Sequence, residues 1–249
     1  MSPTEDKSGH RPASSAQFVT TQWNMVLGAA QSGDAQMAAL EQFCRTYWYP
    51  LYAYIRRRGH GPDDAKDLTQ EFFARLLEKN WLADIEPQGG RFRSFLLTAL
   101  NRLLANEYDR SQAAKRGGGQ PILSLDQQQA EQCYLLEPAT NETPERIFER
   151  RWALAVLNQA LTGLRQEISV AGKSRQFELL NAFLSREASA GEYAAIGEQL
   201  GSSAGGVGVA VHRLRARYRE LVRQEVANTV RSAAEVDEEM RHLFAMLAS

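Results

Sequence analysis

An interruption constrains this chain more than any other feature of its sequence. Residues 117–143, GGGQPILSLDQQQAEQCYLLEPATNET, hold three glycines, two prolines and four acids, with no lysine or arginine. Periodicity is poor there. On both sides of it apolar residues recur every three or four positions, the spacing of helices that bury one face. No alternating run argues for a sheet, and no internal repeat is visible. The pattern predicts an all-α protein: two small helical domains joined by a long acidic linker. The expected divisions are a disordered N-terminus over 1–20, a first domain over 21–116, the linker over 117–143, a second domain over 144–225 and a helical extension over 226–249.

Composition narrows the function classes. The 249 residues carry a formal net charge of -1, but the charges are unevenly spread. Cys44 and Cys133 are far apart without a CxxC pairing, and the four histidines are scattered, so neither a zinc site nor a disulfide framework is expected. The first twenty residues are polar and lack the apolar core of a signal peptide. No apolar run approaches membrane-spanning length, so a cytoplasmic protein that does not enter the membrane is expected. Gly-Lys-Ser at 172–174 resembles the end of a phosphate-binding loop. The glycine required five residues earlier is Glu167, however, and no strand precedes it. No nucleophile stands in a recognisable constellation, so no enzyme and no cofactor are expected.

Residues 24–59 read as two helices, the second closing at Gly59. DDAKDLTQEFFARLLEK, 63–79, follows as a third, opened by Pro62 and Asp63. Ala65, Leu68, Phe72 and Leu76 give it an apolar face, while Asp64, Asp67 and Glu71 form an acidic ridge about 100° away, beside the amide of Gln70. After a Pro/Gly loop comes a basic helix over 91–116. It interleaves Arg91, Arg93, Arg102, Arg110, Lys115 and Arg116 with Phe92, Phe95 and Tyr108. Cations can track a nucleic-acid backbone while exposed aromatics stack on unpaired bases.

Beyond the linker, GEYAAIGEQLGSSAGGVGVAVHRLRARYREL divides into a short helix, a turn at Gly201 and a longer helix. Ala194, Ala195 and Gly197 are small where two such helices must cross closely. Ile196 and Leu200 are expected to face Val207, Val211 and Leu214. Ser202 or Ser203 can cap the second helix and present donors to a phosphate. Arg213, Arg215, Arg217, Arg219 and Arg223 supply the positive charge that DNA binding uses.

These segments together resemble the extracytoplasmic-function (ECF) group of the sigma-70 family of bacterial transcription initiation factors. The likeness runs over roughly 38–116 and 144–225. The 61–79 helix is similar to the family's polymerase-docking helix, IEPQGGRFRSFLLTALNR to its promoter-melting segment, and the helical pair at 193–221 to its helix-turn-helix. The resemblance implies a sigma factor that binds core RNA polymerase at the β′ clamp and β flap, and that recognises and melts promoter DNA. Asp64, Asp67, Gln70 and Glu71 would meet the arginine-rich clamp. Arg91, Phe92, Arg93, Phe95, Asn101, Arg102, Arg110, Lys115 and Arg116 would bind the minus-ten element, with a base flipped against the 86–90 loop. The acidic linker would thread the polymerase channel that RNA later occupies. Ser202, Ser203, Gly208, Val209, His212, Arg213, Arg215 and Arg217 match the region that reads the minus-thirty-five element.

The chain also departs from the family pattern. Gly208 and Val209 stand where basic and small polar base readers are frequent, which leaves His212 and Arg213 for that role. Lys66 replaces a frequent acid. Thr69 falls in a region where some members are switched by a Ser/Thr kinase; an anti-sigma factor is the other regulator the resemblance implies. In the tail, Val236, Met240, Leu243, Phe244 and Leu247 mark an amphipathic helix with Asp237, Glu238 and Glu239 at its start, expected to pack on the second domain. The competing reading is a helix-turn-helix regulator with an N-terminal helical partner-binding module.

Overall fold

The computed structural model describes residues 34–77, 91–111, 127–135, 142–230 and 232–248. Among them lie nine α-helices: α1 Asp34–Arg57, α2 Pro62–Leu77, α3 Phe92–Ser111, α4 Gln127–Leu135, α5 Pro144–Val170, α6 Ser174–Leu180, α7 Glu192–Leu200, α8 Ala204–Ala227 and α9 Val236–Leu247. The all-α expectation holds: the described residues contain no strand, only an isolated bridge between Arg91 and Val230. The expected disordered start, the 86–90 loop, Lys115 and Arg116 lie outside the described residues.

Helix α1 is the hub. Phe43, Tyr47, Trp48 and every residue from Leu51 to Ile55 are buried, so the helix has almost no wet face in this stretch. A helix that is apolar on all sides needs partners on all sides. Helices α2 and α3 supply Phe72, Phe73, Phe92, Phe95 and Leu96 to the same core. The Phe43 ring meets Phe73 edge-on at 5.5 Å and Phe92 at 5.6 Å, the tilted geometry that aromatic quadrupoles favour. Helix α5 covers another side, where the Trp152 indole N–H donates to the Tyr47 hydroxyl at 3.2 Å. Cys44 is buried among these residues, and burial pushes its thiol up to about 12.

A second, smaller core gathers Leu164, Phe177, Leu180, Phe183, Ile196, Val207, Val211 and Leu214. The divide between the two cores does not fall at residue 144. Helix α5 gives Phe148, Trp152 and Val156 to the first core and Leu164 to the second; α8 gives Val207 and Val211 to the second and Val222 and Val226 to the first. Two long helices therefore span both cores. The Tyr218 hydroxyl ties them together by donating to the Leu157 carbonyl at 3.0 Å.

The segment expected to be a bare linker contains a helix, α4, docked on α1. The Arg56 guanidinium grips Glu131 with both Nη2 (2.8 Å) and Nε (3.1 Å), and the Tyr52 hydroxyl donates to the same carboxylate. Arg56 also lies over the Tyr134 ring, 4.6 Å from its centroid. A nine-residue helix held by one polar anchor, the small Ala130 and Tyr134 shows too short an apolar stripe for periodicity to find. Burial raises the Glu131 carboxyl, but the Arg56 and Tyr52 hydrogen bonds outweigh that, and the group sits below the usual carboxylate range. A depressed carboxyl stabilises docking above its unfolded value and loses that contribution as pH falls through the folded one. Acidification is therefore expected to release α4 before the aromatic core melts. A spin label on exposed Cys133, the only thiol of the two that is accessible, should gain mobility first; simultaneous loss of α4 and near-UV circular dichroism would contradict this.

The C-terminal helix packs, as expected, on helices of the 144–225 segment, and through them it reaches the first core. Val236 and Leu243 of α9 enter the first core, with Met240, Met246 and Leu247 packed against it, and the helix rests on α5 and α8. Its apolar positions were legible in the sequence, but a periodic stripe does not say which core it faces.

Candidate functional site

The acidic ridge survives folding, but its members differ. Pro62 opens α2 with Asp63 and Asp64 in the first turn, where the helix dipole favours acids. Asp64 and Asp67 are exposed and form no ion pair among the described residues. Glu71 is half-buried and paired with Arg75 one turn on, and Arg75 also reaches Glu107 of α3 at 3.3 Å. Gln70 is half-buried. Between α2 and α3 lies a cleft of about 730 Å³, lined by Asp64, Asp67, Glu71 and Glu107 on its acidic side and by Arg58, His60 and Asn101 as well. The described residues contain no cluster of side chains suited to a metal ion. A ridge with two free carboxylates above an acidic cleft is suited to basic side chains of a partner.

Thr69 lies on the opposite side of the same helix. Its side chain is 0% exposed and its hydroxyl donates to the Ala65 carbonyl at 2.6 Å. This is the back-bonded state of a mid-helix threonine, and a kinase could reach the oxygen only by opening the helix. The expected phosphosite is therefore closed in this structure.

The aromatic–basic segment changes most on folding. Phe92 and Phe95 are core residues, and Arg93, though charged, is only 2% exposed. Its guanidinium makes a two-pronged contact with Glu239 of α9, Nε to Oε1 at 2.9 Å and Nη2 to Oε2 at 3.2 Å. A third contact, Nη1 to Glu149 of α5, is 3.1 Å, and the group also lies 5.3 Å from the Trp152 ring. Arg91 pairs with Glu238 and lies 3.5 Å from Glu239. Burial raises the Glu239 carboxyl and the two arginines pull it back, with burial the larger effect; burial likewise lowers Arg93. Asn101 accepts from the Tyr54 hydroxyl at 2.9 Å, while Arg102 is exposed one position on, and Arg110 sits in the last turn of α3. In this arrangement Phe92, Arg93 and Phe95 face the protein interior, and Arg102 faces outward. The sequence expectation of one DNA-facing surface is corrected for Phe92, Arg93 and Phe95, which are buried, Phe92 against Phe43 of α1 and Arg93 against Glu149 of α5 and Glu239 of α9.

The helix-turn-helix forms as the sequence implies. Gly201 turns the chain at φ 64°, and Ser203 caps α8 by accepting from the Gly206 amide at 3.1 Å. Ser202 stays exposed. Ile196 packs with Val207, Val211 and Leu214. Val209, 51% exposed, lies with His212 and Arg213 on the outer face of α8, and Gly208 lies beside the Tyr193 ring. Arg215 and Arg217 do not join that face. Arg215 donates to the Phe183 and Arg186 carbonyls, both at 2.7 Å, and pairs with Glu187; Arg217 grips Glu167 of α5 at 2.6 and 2.9 Å. Alternate arginines along a helix point in different directions, so these two fasten α8 to its neighbours. Lys173 and Arg175, which no expectation included, line a hollow with Ser202 and Gly206 at the start of α8. Gly172, at φ 70°, delivers them there. Lys173 belongs to the Gly-Lys-Ser that fails as a nucleotide loop, and Arg175 directly follows it.

A family model described as ECF sigma factor matches residues 20–191. That span is well over half of the chain and includes the acidic ridge, the segment at the start of α3 and the whole of α5. The chain belongs to the ECF sigma factor family. No match was found among curated proteins or among solved structures. Membership makes this a sigma factor of transcription initiation, with RNA polymerase and promoter DNA as the partners of its class. The matched residues of this ECF sigma factor end just before α7, so the helix-turn-helix and α9 stand on their own geometry. No helix among the described residues is long and apolar enough to cross a membrane.

Proposed function

We propose that this ECF sigma factor docks on the β′ clamp of core RNA polymerase through the exposed acids of α2, reads the minus-thirty-five element with the outer face of α8, and melts the minus-ten element with the segment beginning at Arg91. The polymerase supplies the covalent chemistry. The observation that carries the reading is the pair Asp64 and Asp67, exposed and without an ion pair among the described residues, on a helix whose other face is core. Charges held outward without an internal partner are suited to an external one. On α8, Val209, His212 and Arg213 face outward beside the capped N-terminus, the side a recognition helix turns to the major groove.

Reversing both acids, Asp64→Lys with Asp67→Lys, is expected to weaken binding to purified core polymerase by about 100-fold at low salt, since each change replaces an attraction with a repulsion. Helicity by circular dichroism should stay as in the wild type, because neither side chain contributes to the core. Glu71→Lys is expected to do less to the interface than either and more to the fold, since it sets a like charge one turn from Arg75 and leaves that arginine with Glu107. Equal affinity of the double variant and the wild type would remove the docking face from α2.

A further inference from the structure

We propose that the C-terminal helix α9 is a latch: it holds the promoter-melting segment shut in the free protein and must be released before that segment can meet DNA. The proposal rests on the sigma-factor reading above and adds a regulatory contact to it.

Three kinds of contact close the latch on one short stretch. The Phe92 amide donates to the Thr229 carbonyl at 3.2 Å, within the bridge between Arg91 and Val230, so the chain leading into α9 is pinned to the start of α3. Val230, Val236 and Leu243 join the core that holds Phe92 and Phe95. Glu238 and Glu239 then neutralise Arg91 and Arg93. The carboxylates stand where DNA phosphates would otherwise be drawn, and Glu149 completes the cage around Arg93.

The chemistry of the central pair favours a contact that is made to be broken. Arg93 is 2% exposed and Glu239 1%. Two charges removed from water lose much of their hydration, and their mutual attraction returns little more than that loss. On release, both regain water, and Arg93 gains the option of a phosphate. An all-apolar contact of the same size would lose stabilisation on opening with no such return. A freed helix of 12 residues is marginal in water, so release is expected to fray α9 as well as to undock it.

The test locks the latch in the full-length chain. Glu149 and His242 face each other across the α5–α9 contact, with Oε2 and Nε2 3.3 Å apart. Glu149→Cys with His242→Cys, in a Cys133→Ser background, allows a short bis-maleimide to join the helices, with a monofunctional maleimide as the matched control. The joined protein should bind core polymerase as the control does but yield about tenfold less run-off transcript or lower still. Equal transcription from the joined and control proteins overturns the proposal. Hydrogen exchange over 236–247 supplies a readout that needs no substitution. Those amides should be protected in the free chain and exchange faster in the polymerase–promoter complex. Unchanged protection in a transcribing complex also overturns it. Failure of every form to bind core polymerase would strike the sigma-factor reading itself, and the latch with it.

Discussion

Glu239→Ala is expected to destabilise the docked state of α9 by about 3–5 kcal/mol, one of the largest effects available to a single substitution outside the aromatic core. The reason is what it leaves behind. Arg93 keeps its charge at any ordinary pH, and with Glu239 gone only Glu149, among the described residues, remains within hydrogen-bond reach of the guanidinium. A buried cation short of a partner must admit water or leave, and either path loosens α9 from α3 and α5. The companion variant separates charge from packing. Arg93→Met with Glu239→Leu removes both charges at similar volume, and it should recover most of the lost stability. Urea denaturation of the wild type, the single variants and the pair gives the coupling directly. A loss under about 1 kcal/mol for Glu239→Ala would mean that solvent already reaches the pair, as at surface salt bridges.

The second large effect is expected at Gly197. A Cβ built there would lie 2.5 Å from the backbone oxygen of Ser202, in the turn between α7 and α8. That obstacle is main chain, so no rotamer change relieves it. The helices must move apart, and with them the contact of Ile196 with Val207 and Val211. Gly197→Val should cost about 3 kcal/mol or more, at the upper end of overpacking effects, and should abolish sequence-specific binding to duplex DNA. Gly208→Ala is the control. Its Cβ would meet the Tyr193 ring at an ordinary 3.7 Å, and replacing a mid-helix glycine by alanine should stabilise by about 0.5–1 kcal/mol. Similar melting curves for the two variants would show that the crossing is looser than the structure describes.

What the sequence by itself determined is what lies within a few turns of one helix. The apolar face and acidic ridge of α2, the cap and turn of the helix-turn-helix, and the close crossing at Gly197 all follow from spacing, because residues three and four apart share a face whatever surrounds them. The all-α class follows from the same periodicity. Only the tertiary structure decided which neighbour covers each face. Arg93 pairs with a carboxylate 146 positions away, and nothing local distinguishes it from the exposed Arg102 on the same helix. Arg215 and Arg217 fasten α8 inward while Arg213 faces out, and Thr69 spends its hydroxyl on a backbone carbonyl. Helix α4 exists because Arg56 and Tyr52 hold Glu131, a contact across 75 and 79 positions that leaves too short a stripe to find in a nine-residue segment. Helix α9 shows its apolar face in the sequence, yet α5 and α8 span both cores, and only the packed structure places Val236 and Leu243 in the first. Periodicity reports that a face must be buried; the burial itself is non-directional, so its partner is fixed only when all the helices pack at once.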